Sequence, residues 1–327
     1  MQKLKRAAKR VLIAAGILAA LILTAAAALR FVYYRSFFCS AEAEFPLPAL
    51  EDGFVPQGVE YIEDKELFLV SGYVYNSGQA EVCVVLPDGG FRAVKIGDEN
   101  GNTLVCHCGG ICESGGFVYI SGCNGICYVL RTSELLDESA DCAGVLGGFN
   151  TFSNADFCCA YDGELYVGEY HYGVKYSTDK FHRVKTPSGE KNTAISAVFR
   201  LDPALPLGVG TTPVKAVSIP SRVQGMCVTE SFAALSASSV FRGSQLYIYS
   251  KSALTGETDA RILIGGFDVP LYFLDGGSLE KTVELLPKAE GATLYNNRLL
   301  TVYESASARF LYGWLLGAQY AYSLPAD

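Results

Sequence analysis

The sequence predicts an all-β protein, a β-propeller of five blades preceded by one N-terminal membrane-spanning helix. Three observations carry that expectation. An uncharged run of 19 residues stands near the N-terminus, and a two-strand pattern recurs five times along the remainder. The composition is rich in Tyr (20), Phe (18) and Gly (34) while charged residues make up only 18%. Aromatic strands joined by glycine turns fit that profile; a disordered or coiled-coil chain would need far more charge.

The apolar run, Val11 to Leu29, is long enough to cross a bilayer core of about 30 Å as a helix. Lys3, Lys5, Arg6, Lys9 and Arg10 precede it, and only Arg30 and Arg35 follow closely. The positive-inside bias then places the N-terminus in the cytoplasm and the body outside. An uncleaved signal anchor is favoured over a cleaved signal peptide, whose apolar core usually runs about 7–15 residues. The expected organisation is a basic segment at 1–10, the anchor at 11–29, a linker at 30–42 and the propeller at 43–327. Seven basic residues and no acid fall within 1–35, so the rest of the chain is strongly acidic despite a net charge of −8. Such a body is a poor partner for nucleic acid or anionic lipid, where Lys and Arg supply the affinity.

The repeated hairpins read PQGVEYIEDKELFLVSG from Pro56, HCGGICESGGFVYISG from His107 and SNADFCCAYDGELYVGE from Ser153. They continue as VQGMCVTESFAALSAS from Val223 and AEGATLYNNRLLTVYES from Ala289. A third strand follows each: EVCVVLP, GICYVLR, SAVFRLD, SQLYIYS and AQYAYSLP. Four units add a fourth strand, in FRAVKIG, DCAGVLG, PVKAVSIP and EKTVELLP, whereas the fifth runs out after Pro325. AEFPLPAL, from Ala43 to Leu50, has the length to complete it, and such closure removes exposed edges. A sixth blade is the alternative, should the insertion Arg261–Asp275 build one.

These hairpins resemble the propeller group that includes the SMP-30/gluconolactonase, strictosidine-synthase-like and YncE-like proteins, over roughly residues 43–327. In the lactonase branch a Glu, an Asn and an Asp on different inner strands hold a divalent cation such as Ca²⁺. The resemblance implies Glu290 and Asn154 as two of those ligands. No Asp opens a third inner strand; Asp156 lies two residues beyond Asn154 on the same one.

The polar residue opening each inner strand is Gln57, His107, Asn154, Gln224 or Glu290, with a small residue after four of the five and Cys108 after His107. Crowding around a tunnel explains a small follower, and five converging polar groups form either a ligand site or a water-filled plug. Glu169 and Glu304 end second strands beside that mouth. Arg242 and Arg309 occupy two similar loops, LSASSVFRGS and YESASARFLY, and offer forks for a carboxylate or phosphate, or partners for those acids. The third unit carries a basic insertion, HYGVKYSTDKFHRVKTPSGEKN, and the fifth an apolar loop, FLYGWLLGA, expected to pack on the closing N-terminal strand.

Eleven cysteines, nine of them between Cys83 and Cys159, fit buried core thiols better than a metal site from Cys106, His107, Cys108, Cys112, Cys123 and Cys127. No C-x-x-C pair occurs, and a strand points His107 away from its neighbours. G-x-S-x-G, H-E-x-x-H and phosphate-loop signatures are absent too. The expected function is binding of a small polar or anionic ligand, or of a protein partner, at the tunnel mouth; the alternative is a metal-dependent hydrolase or lactonase.

Overall fold

The computed structural model describes residues 2–86, 88–239 and 243–326. A helix spans Gln2–Ala28 and carries a stretch long and apolar enough to cross a membrane. Strand β1 (Glu42–Pro46) comes next in the chain but belongs to the final blade. The first blade is β2 (Phe54–Ile62), β3 (Leu67–Val74), β4 (Ala80–Val85) and β5 (Phe91–Gly97). The second contains β6 (Gly110–Ser114), β7 (Phe117–Ser121) and β8 (Ile126–Arg131); β9 (Cys142–Gly144) leaves it, and β10 (Gly147–Asn150) is its outer strand.

The third blade is β11 (Phe157–Tyr161), β12 (Glu164–Gly168), β13 (Ala194–Leu201) and β14 (Val209–Ile219). The fourth is β15 (Val223–Val228), β16 (Phe232–Ala237) and β17 (Ser244–Ser250). It is completed, after an inserted hairpin of β18 (Arg261–Ile264) and β19 (Phe267–Phe273), by β20 (Leu279–Leu285). The fifth joins β21 (Ala289–Tyr295), β22 (Arg298–Tyr303) and β23 (Tyr320–Pro325) to β1. Five antiparallel blades thus close a propeller, and β1 pairs with β23 from Glu42 opposite Ser323 to Pro46 opposite Tyr320.

Two expectations change. DCAGVLG is not the second blade's outer strand: Cys142–Gly144 instead pairs in parallel with β5 of the first blade, and Gly147–Asn150 takes its place. The Arg261–Asp275 insertion does form strands, but no sixth blade results. Its β19 adds in parallel to β14, so the hairpin extends the third blade. Both additions cover an outer edge that would otherwise expose unpaired backbone groups.

The stretch expected as a linker also packs. Arg35–Ser40 is helical, and Tyr34 and Phe37 are buried in the core of the last blade. Phe37 meets Tyr322 edge-on, with ring centroids 5.2 Å apart. The apolar loop folds into a short helix, Leu311–Leu316, pinned to the blade by Tyr322, whose hydroxyl donates to the carbonyl of Gly317 at 2.8 Å. The carbonyl of Gln319, the residue after this loop, accepts from the Leu47 amide at 2.7 Å, joining the start of β23 to the N-terminal strand.

Apolar layers such as Leu69, Val82, Val94, Ile111 and Ile120 fill the wedge between adjacent blades. At the axis the inner strands nearly touch: a Cβ on Gly291 would lie 2.8 Å from Cα of Gly58, and one on Gly58 would lie 2.9 Å from Cα of Gly110. Glycine is required there by space. All eleven cysteines are free thiols.

Candidate functional site at the tunnel mouth

Three inner strands carry a β-bulge at the position singled out in the repeats. The pairing register slips between Pro56 and Gly58, between Val223 and Gly225, and between Ala289 and Ala292. A bulge re-aims the extra side chain, here Gln57, Gln224 and Glu290, away from the alternation of the strand. In the second and third blades the inner strand starts later, and loop residues before it serve instead.

The result is a cavity of about 380 Å³ lined by Gln57, His107, Gln224, Asp156, Tyr170, Lys288, Glu304 and Arg309, among others. Gln57, His107, Gln224 and Arg309 are therefore brought together. Asn154 and Glu169 are not: both line a neighbouring pocket of about 670 Å³. Ala155 adopts a left-handed φ of +56°, so the chain turns before β11 begins, and Asp156 supplies the third blade's polar group to the tunnel mouth. Arg242 lies outside the described residues.

Glu304 is the electrostatic centre. It is buried; Lys288 donates to its Oε2 at 2.9 Å and Arg309 to its Oε1 at 3.0 Å. Arg309 also donates to the Tyr73 hydroxyl at 2.9 Å, and the Tyr73 ring packs at a tilt of 34° against His107 with ring centroids 4.4 Å apart. Despite partial burial, Glu304 and Glu290 push the Lys288 ammonium up to about 12. Desolvation, reinforced by Arg309 and Lys288 against Glu304, lowers the His107 imidazole.

Glu290 is 1% exposed, accepts a hydrogen bond from Gln224, and has no partner for Oε1 among the described residues. Burial, then the nearby Glu304, raises its carboxyl well above the ordinary carboxylate range, outweighing Lys288 and Arg309. Burial likewise raises Asp156 to about 7, although its Oδ2 accepts the Tyr170 amide at 2.7 Å. Glu290 thus favours its neutral form, while Asp156 is poised between its two forms near neutral pH.

The neighbouring pocket holds a second buried pair. Nδ1 of His182 lies 3.0 and 3.1 Å from the two oxygens of Glu169, and the Ile195 amide donates to Oε2 at 3.2 Å. Asn124, Asn150, Asn154 and Thr178 line the same pocket. Sequence reasoning placed His182 in a basic surface loop; its partner is set by the fold of that insertion, and no spacing signals it. Lys288 was missed for a simpler reason: it precedes the repeat by one residue.

The two cation ligands implied by the lactonase resemblance are not brought together. Asn154 and Glu290 do not meet at one cavity, and Glu290 faces two cations. Among the described residues no group of three His, Cys, Asp or Glu is arranged to hold a metal.

No protein-family profile and no curated protein matches this chain. Solved β-propeller structures are similar to it at low identity. Glutaminyl cyclase from Myxococcus xanthus is 10% identical, with a TM-score of 0.44 over 87% of this chain and 94% of that one. BamB from Moraxella catarrhalis is 10% identical, with a TM-score of 0.35 over 82% and 84%. No ligand or activity is carried over from either.

Proposed function

We propose that this protein is anchored by its N-terminal helix, holds its propeller outside the cytoplasm, and binds a small anionic molecule at the tunnel mouth. The observation that carries this reading is the charge balance around Glu304. Lys288 and Arg309 share that one carboxylate, while Glu290 favours its neutral form. Two cations thus face one carboxylate on an otherwise acidic body, and Asp156, raised to about 7, offsets them only in part near neutral pH. The amides of Gln57 and Gln224 add donors beside it, as a carboxylate or sugar acid requires.

The test is thermal unfolding of the full chain in detergent against a panel of carboxylates, sugar acids and phosphate, with chloride as the matched control. A saturable rise in Tm for one compact anion, lost in Lys288→Met, is expected. No anion raising Tm above the chloride control would end the reading.

A further inference from the structure

Beside the tunnel mouth an apolar groove of about 420 Å³ runs between the N-terminal helix and the blade-five loop. Ile22, Ala26 and Leu29 form one wall; Pro287, Leu315 and Leu316 form the other. We propose that this groove takes an acyl chain of a bilayer lipid, and that the Leu311–Leu316 helix thereby holds the tunnel mouth against the outer membrane surface. The inference rests on the membrane anchoring proposed above.

Depth is the first argument. Leu29 ends the uncharged run, and a helical rise of 1.5 Å per residue puts Ile22 about 10 Å deeper. A helix that spans the bilayer therefore carries the groove into hydrocarbon, where an acyl chain is the available apolar partner. Aromatic side chains gather at the level where the helix ends. Phe31 is 68% exposed, Tyr33 50%, Trp314 45% and Tyr320 43%. Rings of that kind settle at a membrane–water interface. The apolar residues Leu29, Val32 and Leu315 are exposed in the same region, which in water would be a liability.

Continuity with the mouth is the second argument. Pro287 directly precedes Lys288, and the loop that supplies Arg309 runs straight into the helix bearing Trp314. A lipid seated in the groove fixes those two cations at the membrane surface. Ligands then reach the mouth from the membrane-proximal layer.

Trp314 is the chain's one tryptophan, so its fluorescence reports this loop alone. The full chain is reconstituted into phosphatidylcholine vesicles with either plain or brominated acyl chains, then floated after carbonate washing. The expected result is flotation together with blue-shifted emission that brominated chains quench. Ala26→Leu, which fills the groove without adding charge, should float equally and lose much of the quenching. Flotation without quenching overturns this proposal alone, as does an Ala26→Leu variant quenched as fully as wild type. Failure to float overturns the anchoring reading and this proposal with it.

Discussion

Lys288 gives its ammonium to Glu304 at 2.9 Å and leaves Oε1 of Glu290, two residues on, without a partner among the described residues. The chain therefore holds a buried carboxyl beside cations already committed elsewhere. Its folded pKa lies above the unfolded value, so its contribution to stability is complete below about pH 4 and declines as pH rises. Glu290→Gln ends that decline. It should match wild type near pH 4 and exceed it near pH 8 by about 1–3 kcal/mol, the usual scale of a buried unsatisfied group. Denaturant midpoints at the two pH values check this, and equal midpoints at pH 8 would contradict it.

Asp156 makes the same argument with a narrower window. Its carboxyl is raised to about 7, so the stabilisation it gives is whole below about pH 4 and gone above about pH 7. Asp156→Asn should flatten the stability profile across that interval and gain about 2 kcal/mol at about pH 8, discounted for residual solvent. Urea melts across the interval read it out. A profile that keeps the wild-type slope would assign the titration to another group.

The closing blade depends on residues before the propeller. Phe37 is 1% exposed and lies among Tyr303, Tyr322 and Phe38. Phe37→Ala should cost about 3–5 kcal/mol, the range for emptying a buried aromatic site. Removing residues 1–33 should leave folding intact, whereas removing 1–50 strips β1 from β23 and should drive aggregation through the exposed edge. Light scattering separates the two truncations. Equal solubility and equal melting would mean that β1 is dispensable.

His182 and Glu169 form a buried pair, and removing one member leaves the other uncompensated. His182→Ala should destabilise by about 3 kcal/mol, and the double variant with Glu169→Gln should lose less than the sum of the single losses. A double-mutant cycle measures the coupling directly. Strict additivity would show that the pair does not hold the insertion in place.

Local rules made much of this molecule readable. Hairpins with glycine turns and alternating strands announce themselves within a few residues, and the closing strand followed from counting an unfinished blade. Where β9 and β19 pair was not readable, because parallel partners are chosen by the packed fold and either run satisfies the same short apolar pattern. At the site, Gln57, Gln224 and Glu290 stood out because a glycine that space demands follows each. Ala155 imitated that glycine in the third unit, yet its left-handed backbone turns the chain and passes the position to Asp156. Lys288 and His182 act through contacts that no periodicity encodes.

Because β1 is made before every blade and pairs with the strand made after them all, closure of the ring cannot begin until synthesis of the propeller is nearly over. Throughout synthesis of the blades the N-terminal end keeps an unpaired strand waiting for its partner. That strand is short, carries Glu42 and Glu44, and ends at Pro46, features that discourage pairing with a stranger. An interrupted nascent chain would have no β23 to engage it and would present open edges at both ends of the array, a form suited to proteolytic disposal. Completion of the propeller can thus be read from a single strand pairing.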